Sequence, residues 1–122
     1  MGLIKIEGYL YLRSAADISV KLDFDNYDIW RAQWKALLQG LDLIGYVDGS
    51  MPEPPPTAWD KFKKQEQPNW NHKIWYRQTK LLLHAILVSI SDKFLKRLVL
   101  ITQLNTAEQA WNEISKTAAK DA

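Results

Sequence analysis

Asn26-Tyr27-Asp28-Ile29-Trp30-Arg31-Ala32-Gln33-Trp34-Lys35-Ala36-Leu37-Leu38-Gln39-Gly40-Leu41 is the stretch that decides the fold. Trp30, Trp34, Leu37, Leu38 and Leu41 recur at i, i+4, i+7, i+8 and i+11, one face of a 3.6-residue period, while Arg31, Lys35 and Gln39 point elsewhere. This spacing predicts an amphipathic helix that carries two indole rings on its apolar side. Asp25 or Asn26 is placed to cap it, because a short polar side chain accepts a bond from an unpaired N–H of the first turn. Gly40 is placed to end it.

Further along, Asn69 follows Pro68 and offers a second cap, and from Trp70 to about Ile90 the pattern is that of a long helix. Its second half is apolar around most of its circumference, which puts it in the middle of the domain. Ser91 is placed to cap a third helix with Phe94, Leu95, Leu98 and Val99 on its apolar side, running to about Thr102. Thr106 and Gln109 fit a capping box, and Ala107, Ala110, Trp111, Ile114 and Ala118 form the stripe of a last helix. The segment Leu41 to Val47 reads as a short turn-like element. Asp48-Gly49-Ser50 reads as a β-turn leading into a proline-rich connector at residues 49–58, where Pro52, Pro54, Pro55 and Pro56 remove backbone donors. Residues 58–68, with Lys61, Lys63 and Lys64, read as a weak helical turn ending at Pro68.

Upstream, Ile18, Val20 and Leu22 alternate with polar residues and suggest a short extended segment. Residues 3–12, LIKIEGYLYL, suit a strand or short hairpin better than a helix. The expected fold is therefore mainly α: a compact bundle of about four to five helices with a short N-terminal β strand or hairpin. Residues 1–16 form an extension and 17–119 one helical domain. The expected core is Trp30, Trp34, Leu37, Leu38, Trp75, Leu82, Ile86, Leu98, Trp111 and Ile114.

Composition narrows the function. At 122 residues the chain suits one domain that buries roughly two thirds of its unfolded surface. Hydrophobic residues make up 47%, enough for a packed core without a metal or disulfide, and the six tryptophans need partners in that core or at an interface. The absence of cysteine removes thiol nucleophiles, disulfides and thiolate zinc sites. The start Met1-Gly2-Leu3-Ile4-Lys5-Ile6 lacks the apolar segment of a signal peptide, and the run from Leu81 to Val88 falls short of the roughly 20 residues that span a bilayer. A cytoplasmic location without membrane contact is expected.

No constellation carries chemistry. His72 and His84 are about 18 Å apart along one helix and cannot share a metal. Asp48-Gly49-Ser50 has the residue types of an aspartic-protease signature in the wrong order. Cofactors are not expected. Lys73, Arg77, Lys80 and His84 line one face of the central helix, which makes Lys73, Arg77 and Lys80 the candidates for phosphate contact with RNA. Such stripes more often are solvated faces whose stems cover apolar neighbours. Trp59, in an irregular proline-flanked stretch, is a candidate interface anchor, with plain packing the alternative.

The segment Ile18 to Gln33, with an apolar extended stretch followed by Asn26-Tyr27, two residues and Trp30, resembles the opening of Gag polyproteins of plant copia-type retrotransposons. Gly45-Tyr46-Val47-Asp48-Gly49 followed by prolines resembles the family's next signature. Trp75 with Gln78 and then Leu87 to Ser91 resembles its central helix and Leu-Ser turn, and Thr106-Ala107-Glu108-Gln109-Ala110-Trp111 its Thr-Ala-x-x-x-Trp helix. The likeness spans roughly residues 17–118. It implies the helical N-terminal lobe of a capsid protein, either part of a Gag or a truncated or domesticated copy, without enzymatic activity.

The implied activity is self-association, with a weak homodimer or homo-oligomer or a full-length Gag as partner. RNA binding through the basic face is one alternative. The other is a domesticated host adaptor that binds a host protein or interferes with Gag assembly. The chain stops near Ala122, ahead of the second capsid lobe and the Cys/His knuckle that the resemblance implies for a full Gag, so a shell built from this chain alone is not expected.

Overall fold

The computed structural model of the protein describes residues 21–98 and 101–120. Their elements are, in order, α1 (Tyr27–Gly40), α2 (Gly45–Asp48), β1 (Thr57–Asp60), β2 (Gln65–Pro68), α3 (Trp70–Val88), α4 (Asp92–Leu95), a 3-10 turn (Ile101–Gln103) and α5 (Ala107–Lys120). The architecture is mainly helical, as the periodicities predict. The strand or hairpin expected at residues 3–12, the 1–16 extension and the extended residues Ile18 and Val20 lie outside the described residues.

Helix α1 buries Trp30, Trp34 and Leu38, with Leu37 and Leu41 half-buried against the same core. Asn26 stands at the cap position, but its side chain does not take the expected bond. Its Oδ1 accepts the Asp23 N–H at 2.7 Å and its Nδ2 donates to the Lys21 carbonyl at 3.0 Å, so it ties down the turn before the helix. That turn is needed because Leu22 is already fixed. Its N–H donates to the Ser89 carbonyl and its carbonyl accepts the Ser91 N–H, both at 2.9 Å, a parallel bridge next to Ile90. At the other end α1 stops at Gly40, yet the left-handed residue that turns the chain is Asp42, with φ of 58°.

Helix α3 starts where Asn69 predicts, with Asn69 Oδ1 accepting the Asn71 N–H at 3.1 Å, and its second half buries Leu82, Leu83, Ala85 and Ile86. Ser91 caps α4 as expected, accepting the Phe94 N–H at 3.2 Å. The helix is nevertheless one turn long and does not run to Thr102. Arg97 and Leu98 donate to carbonyls three residues back, Phe94 and Leu95, a tightening that ends an α-helix and that lets Leu98 reach the core. Val99 lies outside the described residues.

The capping box of α5 forms in full: the Gln109 N–H donates to Thr106 Oγ1 at 3.1 Å, and Gln109 Oε1 accepts the Thr106 N–H at 3.3 Å. Helix α5 packs on α3 and on α2. Thr79, buried in α3, orients that packing by accepting the Ala107 N–H at 2.9 Å. Two glycines fit α2 into the small space left. Gly45 lies so close to Met51 and Ser50 that a Cβ would meet Met51 Cγ at 2.8 Å, and Gly49 takes φ of +84° beside the Glu108 carboxylate.

Residues 57–68 are a β-hairpin, not the helical turn expected from sequence. Thr57 pairs with Pro68, Ala58 with Gln67, Trp59 with Glu66 and Asp60 with Gln65. The segment lacks the apolar stripe that would hold a helix against the bundle. Its turn instead has its own closure: Asp60 Oδ1 accepts the N–H groups of Phe62 at 2.9 Å and Lys63 at 3.2 Å, and Lys64 takes φ of 52°.

Of the expected core, Trp30, Trp34, Leu38, Leu82, Ile86, Leu98 and Ile114 are buried. Leu37 and Trp111 pack against it half-exposed. Trp75 sits at the rim, because its N–H is engaged outside the core, as described below. Leu22, Leu43, Val47, Ile90 and Phe94 are also buried there.

Candidate interaction surface

The run leading into the hairpin is held by α3 and its cap through side chains spaced three apart. Asn69 Nδ2 donates to the Pro55 carbonyl at 2.8 Å and its N–H to the Pro56 carbonyl at 2.9 Å. His72 Nε2 meets Glu53 Oε2 at 2.8 Å, and Trp75 Nε1 donates to the Met51 carbonyl at 2.9 Å. Residues 69, 72 and 75 return to one side of a helix, so the first turns of α3 clamp the whole run from Met51 to Pro56. The prolines suit this role: they keep the chain extended and leave carbonyls for α3 to grip.

What the clamp presents is aromatic and basic. Trp59 on β1 is 62% exposed, Phe62 at the hairpin tip 89% and Trp70 at the start of α3 66%, a degree of exposure that single-domain packing does not call for. Lysines flank them. The Lys61 ammonium lies 5.6 Å from the Phe62 ring centre and that of Lys73 lies 5.8 Å from Trp70, within cation–π range. Trp59 is therefore exposed, in a strand rather than the irregular stretch expected. Phe62 escaped the sequence reading because it belongs to no periodic pattern. The signal that could have found it is an aromatic between three lysines, bounded by a turn-forming Asp.

The basic stripe of α3 is divided. Lys73 and Arg77 are exposed, whereas the Lys80 ammonium donates to the Asn105 carbonyl at 2.8 Å and lies 5.3 Å from the Tyr76 ring centre. Lys80 thus ties α3 to the segment before α5. His84 is exposed on the same helix.

A groove of about 530 Å³ lies between the start of α1 and the end of α5, lined by Phe24, Asp25, Tyr27, Asp28, Ile29, Ala118 and neighbouring residues. Its ionisable lining is two carboxylates and the Tyr27 phenol, and its one hydroxyl apart from Tyr27 is Ser115. No lining histidine or lysine stands beside Ser115 to make it a nucleophile. Among the described residues no three His, Cys, Asp or Glu side chains gather to hold a metal, and no helix is long and apolar enough to cross a membrane. Chemically, these surfaces are equipped to hold another molecule, through aromatic contact and opposite charge.

Residues 13–55 match the family described as Gag-polypeptide of LTR copia-type. The chain is 35% identical over 99 residues to the retrovirus-related Pol polyprotein from transposon RE2 of Arabidopsis thaliana and 33% identical over 99 residues to that from transposon RE1. Each match covers 81% of the chain, and the chain spans 6% of the length of either polyprotein. No solved structure matches it. With the Gag match over α1, α2 and the start of the proline run, and homologous sequence over most of its length, the chain belongs to the Gag polypeptides of LTR copia-type elements and carries a structural Gag module.

Proposed function

We propose that the domain is a non-enzymatic assembly module that acts through protein contacts, associating with itself or with a longer Gag, and that the clamped hairpin is its contact surface. The observation that carries this is the exposure of Trp59 and Phe62 on the hairpin and of Trp70 beside it, where the run leading into the hairpin, Met51 to Pro56, is fixed by four hydrogen bonds or ion pairs to α3 and its cap. Large aromatics supply most of the binding energy at protein interfaces, and a contact already rigid loses little conformational entropy on binding. Light scattering over a concentration series tests it. Mass that rises with concentration, or capture by a longer copia-type Gag, is expected; a strict monomer that captures none contradicts it.

RNA binding is the second reading, favoured by the lysines interleaved with exposed rings at Lys61, Phe62, Lys63, Lys64, Trp70 and Lys73. The engagement of Lys80 with Asn105 weakens the original stripe of Lys73, Arg77 and Lys80. RNA contact predicts affinity that falls steeply as salt rises, and undetectable binding at low salt excludes it. A host-adaptor role is distinguished by co-expression with an intact copia-type Gag: reduced particle yield means interference.

A further inference from the structure

The tip of the hairpin and the groove beside α1 are opposite in charge and alike in apolar content, and they belong to different parts of the molecule. The tip, residues 60–64, offers the Phe62 ring, 89% exposed, between the exposed Lys61, Lys63 and Lys64; its one acid, Asp60, is turned inward to cap the turn. The groove offers the side chains of Phe24, Tyr27, Ile29 and Ala118, with the exposed carboxylates of Asp25 and Asp28 on its rim. Ile29 is 64% exposed, an apolar residue on the outer side of α1 that the bundle does not use. The Arg97 guanidinium lies 5.5 Å from the ring centre of the lining residue Phe24. Among the described residues the lining itself holds two carboxylates and no lysine or arginine.

We infer that the hairpin tip of one copy seats in the groove of a second copy, Phe62 entering between Ile29 and Ala118 while the tip lysines meet Asp25 and Asp28. This rests on the self-association proposed above and names its two surfaces. The groove volume lies in the range of pockets that take a side-chain-sized apolar group, and opposite charge at the rim fixes the orientation of entry. Because the two patches are unlike, the contact either is made twice in a reciprocal two-fold pair or is heterologous, repeating from copy to copy into a ring or a filament. A symmetric meeting of two hairpins would instead bring lysines against lysines.

The cysteine-free sequence gives a clean test. Lys61→Cys and Ser115→Cys place one thiol each beside the tip ring and in the groove, both at exposed positions and with Phe62 kept, so circular dichroism should show an unchanged fold. Each single variant is oxidised alone and in a mixture of the two, beside sedimentation of the unmodified chain. Covalent dimer in the mixture, with none above background in either variant alone, is expected. Lys63→Glu with Lys64→Glu should abolish association, and Asp25→Lys with Asp28→Lys in a second chain should restore it. Dimer from Lys61→Cys alone, or none in the mixture while the unmodified chain still associates, overturns the tip-to-groove contact and leaves self-association standing. An unmodified chain that stays monomeric overturns both.

Discussion

Ser89 Oγ accepts the indole N–H of Trp30 and that of Trp34, each at 3.1 Å, and donates its own proton to the Ile86 carbonyl at 2.6 Å. Ser89 is fully buried, and its backbone carbonyl also receives Leu22. One residue at the end of α3 therefore fixes both the tryptophan face of α1 and the chain that enters it. The two rings are 6.2 Å apart and Trp30 continues to Trp111 of α5 at 5.7 Å, so the same hydroxyl aligns an aromatic row through the bundle.

Ser89→Ala leaves two buried indole donors without an acceptor. At about 1–3 kcal/mol for each buried group left unpaired, urea unfolding should show a loss of about 2–6 kcal/mol. Trp30→Phe in the Ser89→Ala background should cost less than in the native one, because the orphaned donor is gone. Equal costs in both backgrounds would mean that the shared acceptor is not what couples the rings.

Thr79→Val keeps the shape but strands the buried Ala107 N–H at the head of α5. A loss of about 1–3 kcal/mol is expected. Thr79→Ser, which keeps the hydroxyl, should recover most of it, apart from the methyl's packing. If the two variants melt alike, the bond at 2.9 Å does not anchor α5.

These buried polar anchors mark the limit of what was legible in the sequence. Helices α1, α3 and α5 could be read because Trp30, Trp34 and Leu38, then Leu82 and Ile86, then Ala107, Ala110 and Ile114 repeat with a helical period, and the cap Asn69 and the box Thr106 and Gln109 act locally. Ser89 lay just past the apolar run from Leu81 to Val88 with nothing to mark it as an anchor, since a serine's partners 55 and 59 residues away leave no local pattern. Trp75 read as core because helical spacing reports which side a residue is on, not whether its N–H is taken by a loop. The hairpin failed for a related reason: strand alternation marks burial, and β1 and β2 are largely exposed on both sides. Of the candidate surface, Trp59 stood out as a tryptophan in proline-flanked sequence and Lys73 as part of a basic helix face, and Phe62 became visible once the turn around it was known.

Trp75→Phe removes the bond to the Met51 carbonyl but keeps most of the ring. Hydrogen exchange should quicken across residues 51–68 while the bundle core keeps its protection. Exchange that quickens uniformly would place Trp75 in the general packing instead of the clamp.

The Asp48 carboxyl is held below its ordinary value of 3.8 by hydrogen bonds from Ser50, the hydroxyl first and then the backbone N–H. A depressed folded value means that the carboxylate's contribution is present above the unfolded value and is lost as pH falls through the folded one. Stability should therefore decline a little more in Asp48 than in Asp48→Asn as pH drops below about 4. A carboxyl titration of Asp48 by NMR with a midpoint at or above 3.8 would contradict this sign.

Sedimentation equilibrium of the unmodified chain beside a variant with Trp59→Ser, Phe62→Ser and Trp70→Ser decides whether the exposed rings make this an assembly module. The unmodified chain should rise in average mass above its 14.2 kDa as concentration increases, and the variant, equally folded, should stay at the monomer mass throughout. Identical behaviour of the two, whether both monomeric or both associated, would show that the clamped hairpin is not the surface that holds copies together.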